Sequence, residues 1–350
     1  HKIEPMKSDE VGALRKKLSQ LTRLPRDKRN AKVRLEIAEI ERKVAGYLGE
    51  TTRRRAQPAI SEAVAMEVAI AADAEPGRRE MRVQTRRGLS NPIRFCVGRL
   101  PEFREDEPPL VPDAQEFPSL LRFPPLVTTD ISLPAVVNGQ IIPRQPDYVD
   151  WRARRFTPGD ADRYRFEARK GQQLVVAVSA RELVPYLADA VPGWFQATLA
   201  LYDDHGRELA FEDDFRFHPD PVLFFKVPED GRYVVEIKDA IYRGRPDFVY
   251  RIAIGEIPFV TGIFPLGGPA GSRTTVELTG WNLPVDKLTV DTKDKAAGKH
   301  PLLVGEGNAI SNTVRFAVDT LPECLDKESN DSPPDAQRVK LPVIVNGRVD

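Results

Sequence analysis

Carboxylates crowd one short stretch of this chain: Asp203, Asp204, Glu212, Asp213, Asp214 and Asp220 fall within eighteen residues. Carboxylate oxygens are hard ligands. Ca²⁺ takes about six to eight oxygens at once, so acids on adjoining loops are what a calcium site needs. Asp203, Asp204, Asp213, Asp214 and Asp220 are therefore the candidate metal ligands, and calcium is the candidate cofactor. Their spacing is not that of an EF-hand. The same residues also read as backbone chemistry. Asp203-Asp204-His205-Gly206 is a hairpin-turn sequence, and Asp side chains turn or cap a backbone.

Aromatic residues are dense in the same region, with Trp194, Phe195, Tyr202, Phe215, Phe217, Phe224 and Phe225. Exposed aromatics on a sheet stack on sugar rings, and an exposed apolar patch marks a binding surface. Core packing is the competing reading. Trp194 follows Pro192-Gly193 in an expected loop, which makes it the candidate ligand-binding residue. Trp151 and Trp281 read as packing residues.

Catalytic constellations are missing from the sequence. The four histidines, His1, His205, His218 and His300, lie in no HExxH. No GxSxG elbow is present. The Gly-rich run at 267–271 lacks the Lys and hydroxyl that a phosphate loop places after its second Gly, so it reads as a turn before a strand. No nucleophile–base pair emerges, and the expectation is a chain that is not an enzyme.

The elements that must position these side chains follow from composition and period. Lys+Arg and Asp+Glu both number 52, so no bulk field draws the chain to nucleic acid. No run approaches the ~20 apolar residues of a membrane span. Cys96 and Cys324 have no motif spacing. Thirty-one prolines spread along the chain point to many short strands and ordered loops. Residues 8–24 and 28–49 have helical periodicity, broken at Pro25, and predict a helical hairpin at about 8–49. Strands are expected at 62–72 and 78–86. Between 131 and 256 period-two alternation dominates: Tyr164 and Phe166 alternate with Arg163 and Arg165, and Tyr233, Val235 and Ile237 with Val234 and Glu236. Turn signals separate these runs at Pro158-Gly159-Asp160, Lys170-Gly171 and Glu229-Asp230-Gly231.

An internal repeat organises the whole. Residues 90–101, SNPIRFCVGRLP, return as 311–322, SNTVRFAVDTLP, at an offset of 221. Leu133-Pro134-Ala135-Val136-Val137-Asn138-Gly139 returns as Leu341-Pro342-Val343-Ile344-Val345-Asn346-Gly347 at an offset of 208. The first copy thus carries extra residues, and the second is expected to stop soon after it begins. The expected fold class is mainly β: tandem β-sandwiches with an N-terminal helical hairpin insertion. The expected divisions are a partial immunoglobulin-like domain at 1–98, a linker at 99–130, a sandwich at 131–256, a small immunoglobulin-like domain at 257–319, and a linker with the start of a second sandwich at 320–350.

Residues 131–256 resemble the bacterial pre-peptidase C-terminal domain. The resemblance rests on NGQI, on GDADRYRFEARKGQQLVVAVSAREL and LALYDDHGRELAFEDD, and on PEDGRYVVEIKDA and DFVYRIAIG. Residues 257–319 resemble IPT/TIG domains through IFPLGGPAGSRTTVELTGWNL, and 60–98 look like the rear of another. The alternation is similar to multi-module exported proteins of planctomycete-like bacteria. The resemblance implies jelly-roll-like and immunoglobulin-like sandwiches, and an extracellular, cell-surface or periplasmic setting. It implies calcium in some collagen-binding relatives. The implied partners are extracellular polysaccharide or protein and other domains of the same polypeptide. The function it implies is that of non-catalytic binding or spacer modules, or alternatively of accessory modules of a secreted peptidase.

Overall fold

A computed structural model describes residues 66–86, 88–105, 128–142, 159–184, 194–245, 247–307 and 309–348, with single positions between 13 and 40. The helical hairpin expected at 8–49 lies mostly outside the described residues. Ala13, Leu14, Lys16, Lys17, Gln20, Leu21, Val33, Glu36 and Ile40 are helical there, and they delimit no helix. Residues 66–72, expected as strand, are exposed coil running into a turn.

The first strands are β1 (Gly77–Met81), β2 (Gln84–Thr85), β3 (Gly88–Leu89) and β4 (Ile93–Val97). β1 pairs antiparallel with β4, and β2 with β3. The sandwich follows: β5 (Glu102–Arg104), β6 (Thr128–Asp130), β7 (Ala135–Gln140), β8 (Asp162–Ala168), β9 (Gln173–Ser179), β10 (Ala197–Asp203), β11 (Glu208–Glu212), β12 (Val222–Lys226), β13 (Gly231–Asp239) and β14 (Val249–Gly255). They form two five-stranded sheets, ordered β11-β10-β13-β8-β6 and β12-β9-β14-β7-β5. The alternation in sequence is the alternation of faces. Tyr164 and Phe166 of β8 and Tyr233, Val235 and Ile237 of β13 meet Leu174, Val176 and Val178 of β9 and Tyr250, Ile252 and Ile254 of β14 in one buried core.

The short strands β5 and β6 lie inside the stretch expected to be a linker. They are the parallel edge strands of the two sheets, on β7 and β8 respectively. β9 departs from strict alternation because its other face is covered too. Val175 is fully buried there, against Ile257 and Phe259 of the following unit.

That unit comprises β15 (Phe259–Phe264), β16 (Gly267–Pro269), β17 (Arg273–Trp281), β18 (Lys287–Asp291), β19 (Gly298–Leu302), β20 (Gly305–Glu306), β21 (Ala309–Ile310) and β22 (Val314–Asp319). Its two three-stranded sheets are β15-β17-β18 and β16-β22-β19, closed over Val260, Val276, Leu278, Val290, Phe316 and Val318. Part of the Gly-rich run expected as a turn is thus the strand β16, parallel to β22. Finally β23 (Glu323–Leu325) pairs parallel with β24 (Ile344–Asn346).

The sequence repeat is a repeat of geometry. Glu102 sits opposite Val136 and Glu323 opposite Ile344, in the same parallel register. Asn138 Nδ2 donates to Glu102 Oε2 at 2.9 Å, and Asn346 Nδ2 to Glu323 Oε2 at 2.9 Å. Ser90 Oγ accepts from Val83 N at 2.8 Å, as Ser311 Oγ does from Val304 N at 3.0 Å.

Candidate functional site

The structure does not bring the five candidate metal ligands together. Asp203 turns the β10–β11 hairpin: its Oδ1 accepts His205 N at 3.0 Å and Arg207 N at 2.9 Å. The Arg207 backbone N–H is the main reason its carboxyl is held below the usual range. Asp204 pairs with Arg232 at 2.8 Å. The strand β11 then separates these two from Asp213 and Asp214, which are exposed. Asp220 is buried elsewhere and accepts three backbone N–H groups, from Ala180 at 3.1 Å, Arg181 at 2.7 Å and Glu182 at 3.1 Å. It caps the 3₁₀ turn Arg181–Leu183. Burial still raises its carboxyl above the usual range. Among the described residues no three acids, imidazoles or thiols converge as a metal site would require. Neighbours in sequence are separated because a strand of even five residues spans about 16 Å.

Trp194 is not a free stacking platform. It lies half-buried, edge-on to Phe195 and Phe248, with Nε1 on Asp247 Oδ2 at 3.3 Å. Phe195 and Phe225 belong to the sandwich interior, whereas Phe217 is fully exposed.

Phe215 and Phe224 have a different role, which the sequence did not disclose. With Trp281 and Phe259 they form an aromatic block between the sandwich and the unit that follows. Trp281 stacks on Phe224, centroids 4.9 Å apart and planes 11° from parallel, and on Phe259 at 5.7 Å. Phe215 closes the side, 5.9 Å from Trp281. Leu100, Ala177 and Ala253 pack against the same cluster. Polar contacts fix the rotation about it. Asn282 Nδ2 donates to Gln173 O at 2.8 Å and to Ile257 O at 3.2 Å, and the Arg216 guanidinium donates to Thr261 O. Arg99 of the preceding unit reaches Gly307 O at 3.0 Å. Arg78 pairs with Glu182 at 2.5 Å. The three units are therefore tied to one another by specific contacts.

A second cluster lies where β5 enters the sandwich. Arg251 makes two bonds to Glu102, at 2.6 and 2.9 Å, and one to Asn138 at 2.9 Å. Its hydrogen bonds hold the Glu102 carboxyl below the usual range. Behind it, Tyr250 Oη donates to Asp162 Oδ2 at 2.6 Å and meets Tyr164 Oη at 2.5 Å. Glu105 interacts with Asp162 through its side chain and accepts Gln140 N at 3.0 Å. No periodicity signals this group. Its members are separated in sequence, and single carboxylates in β-rich chains read as surface charge.

No family model and no curated protein matches the chain. Among solved structures, the pre-peptidase C-terminal domain of a collagenase from Bacillus anthracis is similar at 13% identity and a TM-score of 0.25, over 38% of this chain and 99% of that one. A periplasmic inhibitor of g-type lysozyme from Aeromonas hydrophila is similar at 14% identity and a TM-score of 0.22, over 37% and 96%. A surface-associated copper-binding protein of Methylomicrobium album is similar at 6% identity and a TM-score of 0.24, over 37% and 98%. Among the described residues no helix is long and apolar enough to cross a membrane. The sheets and cores place the chain in the class of mainly-β, multi-sheet proteins built as tandem β-sandwiches.

Proposed function

We propose that this chain is a rigid, non-catalytic spacer segment of an exported or cell-surface bacterial protein, holding its neighbouring modules at a fixed distance and angle. The observation that carries the reading is the aromatic block around Trp281. A flexible array needs small, polar interfaces between modules. Here a Trp stacked on Phe224 and Phe259 is flanked by two hydrogen bonds that cross the joint, Asn282 to Gln173 O and Arg216 to Thr261 O, and would break on rotation. The module resemblances support the exported setting.

The test is a distance distribution between spin labels on Glu208→Cys and Lys293→Cys, both exposed, in a Cys96→Ala/Cys324→Ala background. A single narrow distribution is expected. A broad one, unchanged by Trp281→Ala, would mean that the units swivel and that the spacer reading is wrong.

A further inference from the structure

Two carboxyl groups that hydrogen-bond each other share a proton, because two bare carboxylates repel. Glu105 and Asp162 are gathered at one point around Tyr250: its Oη donates to Asp162 Oδ2 at 2.6 Å, and Tyr250 Oη and Glu105 Oε2 both crowd the open face of Gly139. Glu105 stands at the end of β5, the strand that carries the chain from the preceding unit into the sandwich, and Asp162 opens β8 on the opposite sheet. The pair therefore bolts the incoming strand across both sheets. Space for it is made by Gly139, where a methyl group would overlap both Tyr250 Oη and Glu105 Oε2.

We propose that Glu105 and Asp162 form a proton-dependent clasp: β5 is held tight on the sandwich while the pair keeps its proton, and the joint slackens when the proton leaves. This goes beyond the spacer reading, which needs no response to pH.

Burial and like charge favour the proton over the donors that oppose it. Around the pair stand Asp160 before β8, Tyr164 on β8, Tyr250 on β14 and the Gln140 backbone N–H on β7. Tyr250 and the Gln140 N–H donate to the carboxyls and favour their charged form, whereas Asp160 adds negative charge and opposes it. Burial, then Glu105, push Asp162 well above the usual carboxylate range, and burial raises Glu105 as well. A raised carboxyl binds its proton more tightly folded than unfolded. Its contribution is complete at low pH, and it is lost as pH rises from the ordinary carboxylate range through the raised value. Glu102, one turn of the strand earlier, has the opposite sign, since Arg251 favours its charged form.

The repeat carries the same placement. Asp326 occupies the position of Glu105, donates its N–H to Asn346 O at 2.8 Å as Glu105 does to Asn138 O at 3.0 Å, and lies 3.1 Å from where a methyl on Gly347 would be.

The experiment is amide hydrogen exchange of the full chain against pH. It follows the Val136 N–H, bonded to Pro101 O, and the Glu105 N–H, with rates referred to an unstructured peptide. Protection should fall by about tenfold per pH unit through the release interval, as linkage to one proton requires. Glu105→Gln, which donates an N–H without needing a proton, removes the Glu105 charge from Asp162 and should move the release interval to lower pH. ¹³C titration of the wild-type carboxyls should place the release of the shared proton in the same interval. Protection that is flat in the wild type, or carboxyls that both titrate in the ordinary range, would overturn the proposal. If the variant fails to fold, the wild-type titration and exchange still decide it.

Discussion

Replacing Asp220 by Asn separates the two roles its sequence allows, calcium ligand or backbone cap. In the structure Oδ1 accepts Arg181 N at 2.7 Å, and Oδ2 accepts Ala180 N and Glu182 N, both at 3.1 Å. Asparagine keeps one oxygen. Turned to preserve the two longer bonds, it points its amide N–H₂ at Arg181 N and leaves that donor without an acceptor. A buried unsatisfied donor costs roughly 1–3 kcal/mol. Burial already disfavours the Asp220 charge, so losing the charge adds no further cost. Urea unfolding of the chain, followed by far-UV circular dichroism, should show a midpoint lowered by about 1 M, for a loss of about 2 kcal/mol at a slope of roughly 2 kcal/mol per M. The loss should be equal in calcium and in chelator. A calcium ligand would behave differently. At a hundredfold excess over its dissociation constant the ion would add about 2.7 kcal/mol to the wild type alone. A wild type stabilised by calcium and an Asn variant indifferent to it would refute the cap, as would no loss at all.

Trp281→Ala removes three ring contacts at a half-buried site and should cost about 2–4 kcal/mol. In calorimetry it should split the joint melting of the sandwich and the following unit into two transitions, whereas Trp281→Phe should keep them together. Gly139→Ala drives a methyl into Tyr250 Oη and Glu105 Oε2 and should lower the urea midpoint by an amount equivalent to about 2–3 kcal/mol. Gly347→Ala, with its nearest atom at 3.1 Å, should cost less than half as much. For Glu102 the lowered carboxyl gives an acid-side effect: its contact with Arg251 is complete above the usual carboxylate range and lost as pH falls through the lowered value. Glu102→Gln should therefore remove the acid-side loss of β5 exchange protection and leave the alkaline side unchanged.

The sandwich was legible because strands such as β8 hide one face, so Tyr164 and Phe166 alternate with Arg163 and Arg165 in sequence as they do in space. The repeat was legible because its members have fixed polar duties: Ser90 and Ser311 close hairpins, and Asn138 and Asn346 bridge to a glutamate. The acid cluster misled because proximity along a chain is not proximity across a strand. β11 runs between Asp203, at the end of β10, and Asp214, and Asp220 returns to the 3₁₀ turn. Trp194 misled because Pro192-Gly193 signals a loop but not what the next ring will meet, which is Phe248. β5 and β6 were hidden because three residues are too few to show a period, and Pro and Glu around them read as linker. Glu105 and Asp162 could be joined only by knowing that β5 and β8 lie at the same end of facing sheets.

What the two copies share bears on why the joint matters. Had the repeat preserved only cores, its matching residues would be the apolar ones, exchangeable within their kind. Instead the identities include Glu102 and Glu323, Asn138 and Asn346, and Gly139 and Gly347; each Glu meets its Asn, and each Gly lies beside the next acid of the incoming strand, Glu105 or Asp326. A hydrogen-bonded Glu–Asn pair on a short parallel strand adds little to the stability of either neighbour alone. Its geometric effect is larger, because it fixes where the incoming strand lies and hence the angle at which the preceding unit leaves. Repetition of that pair in the same register is what the proposed spacer would need and a tether would not.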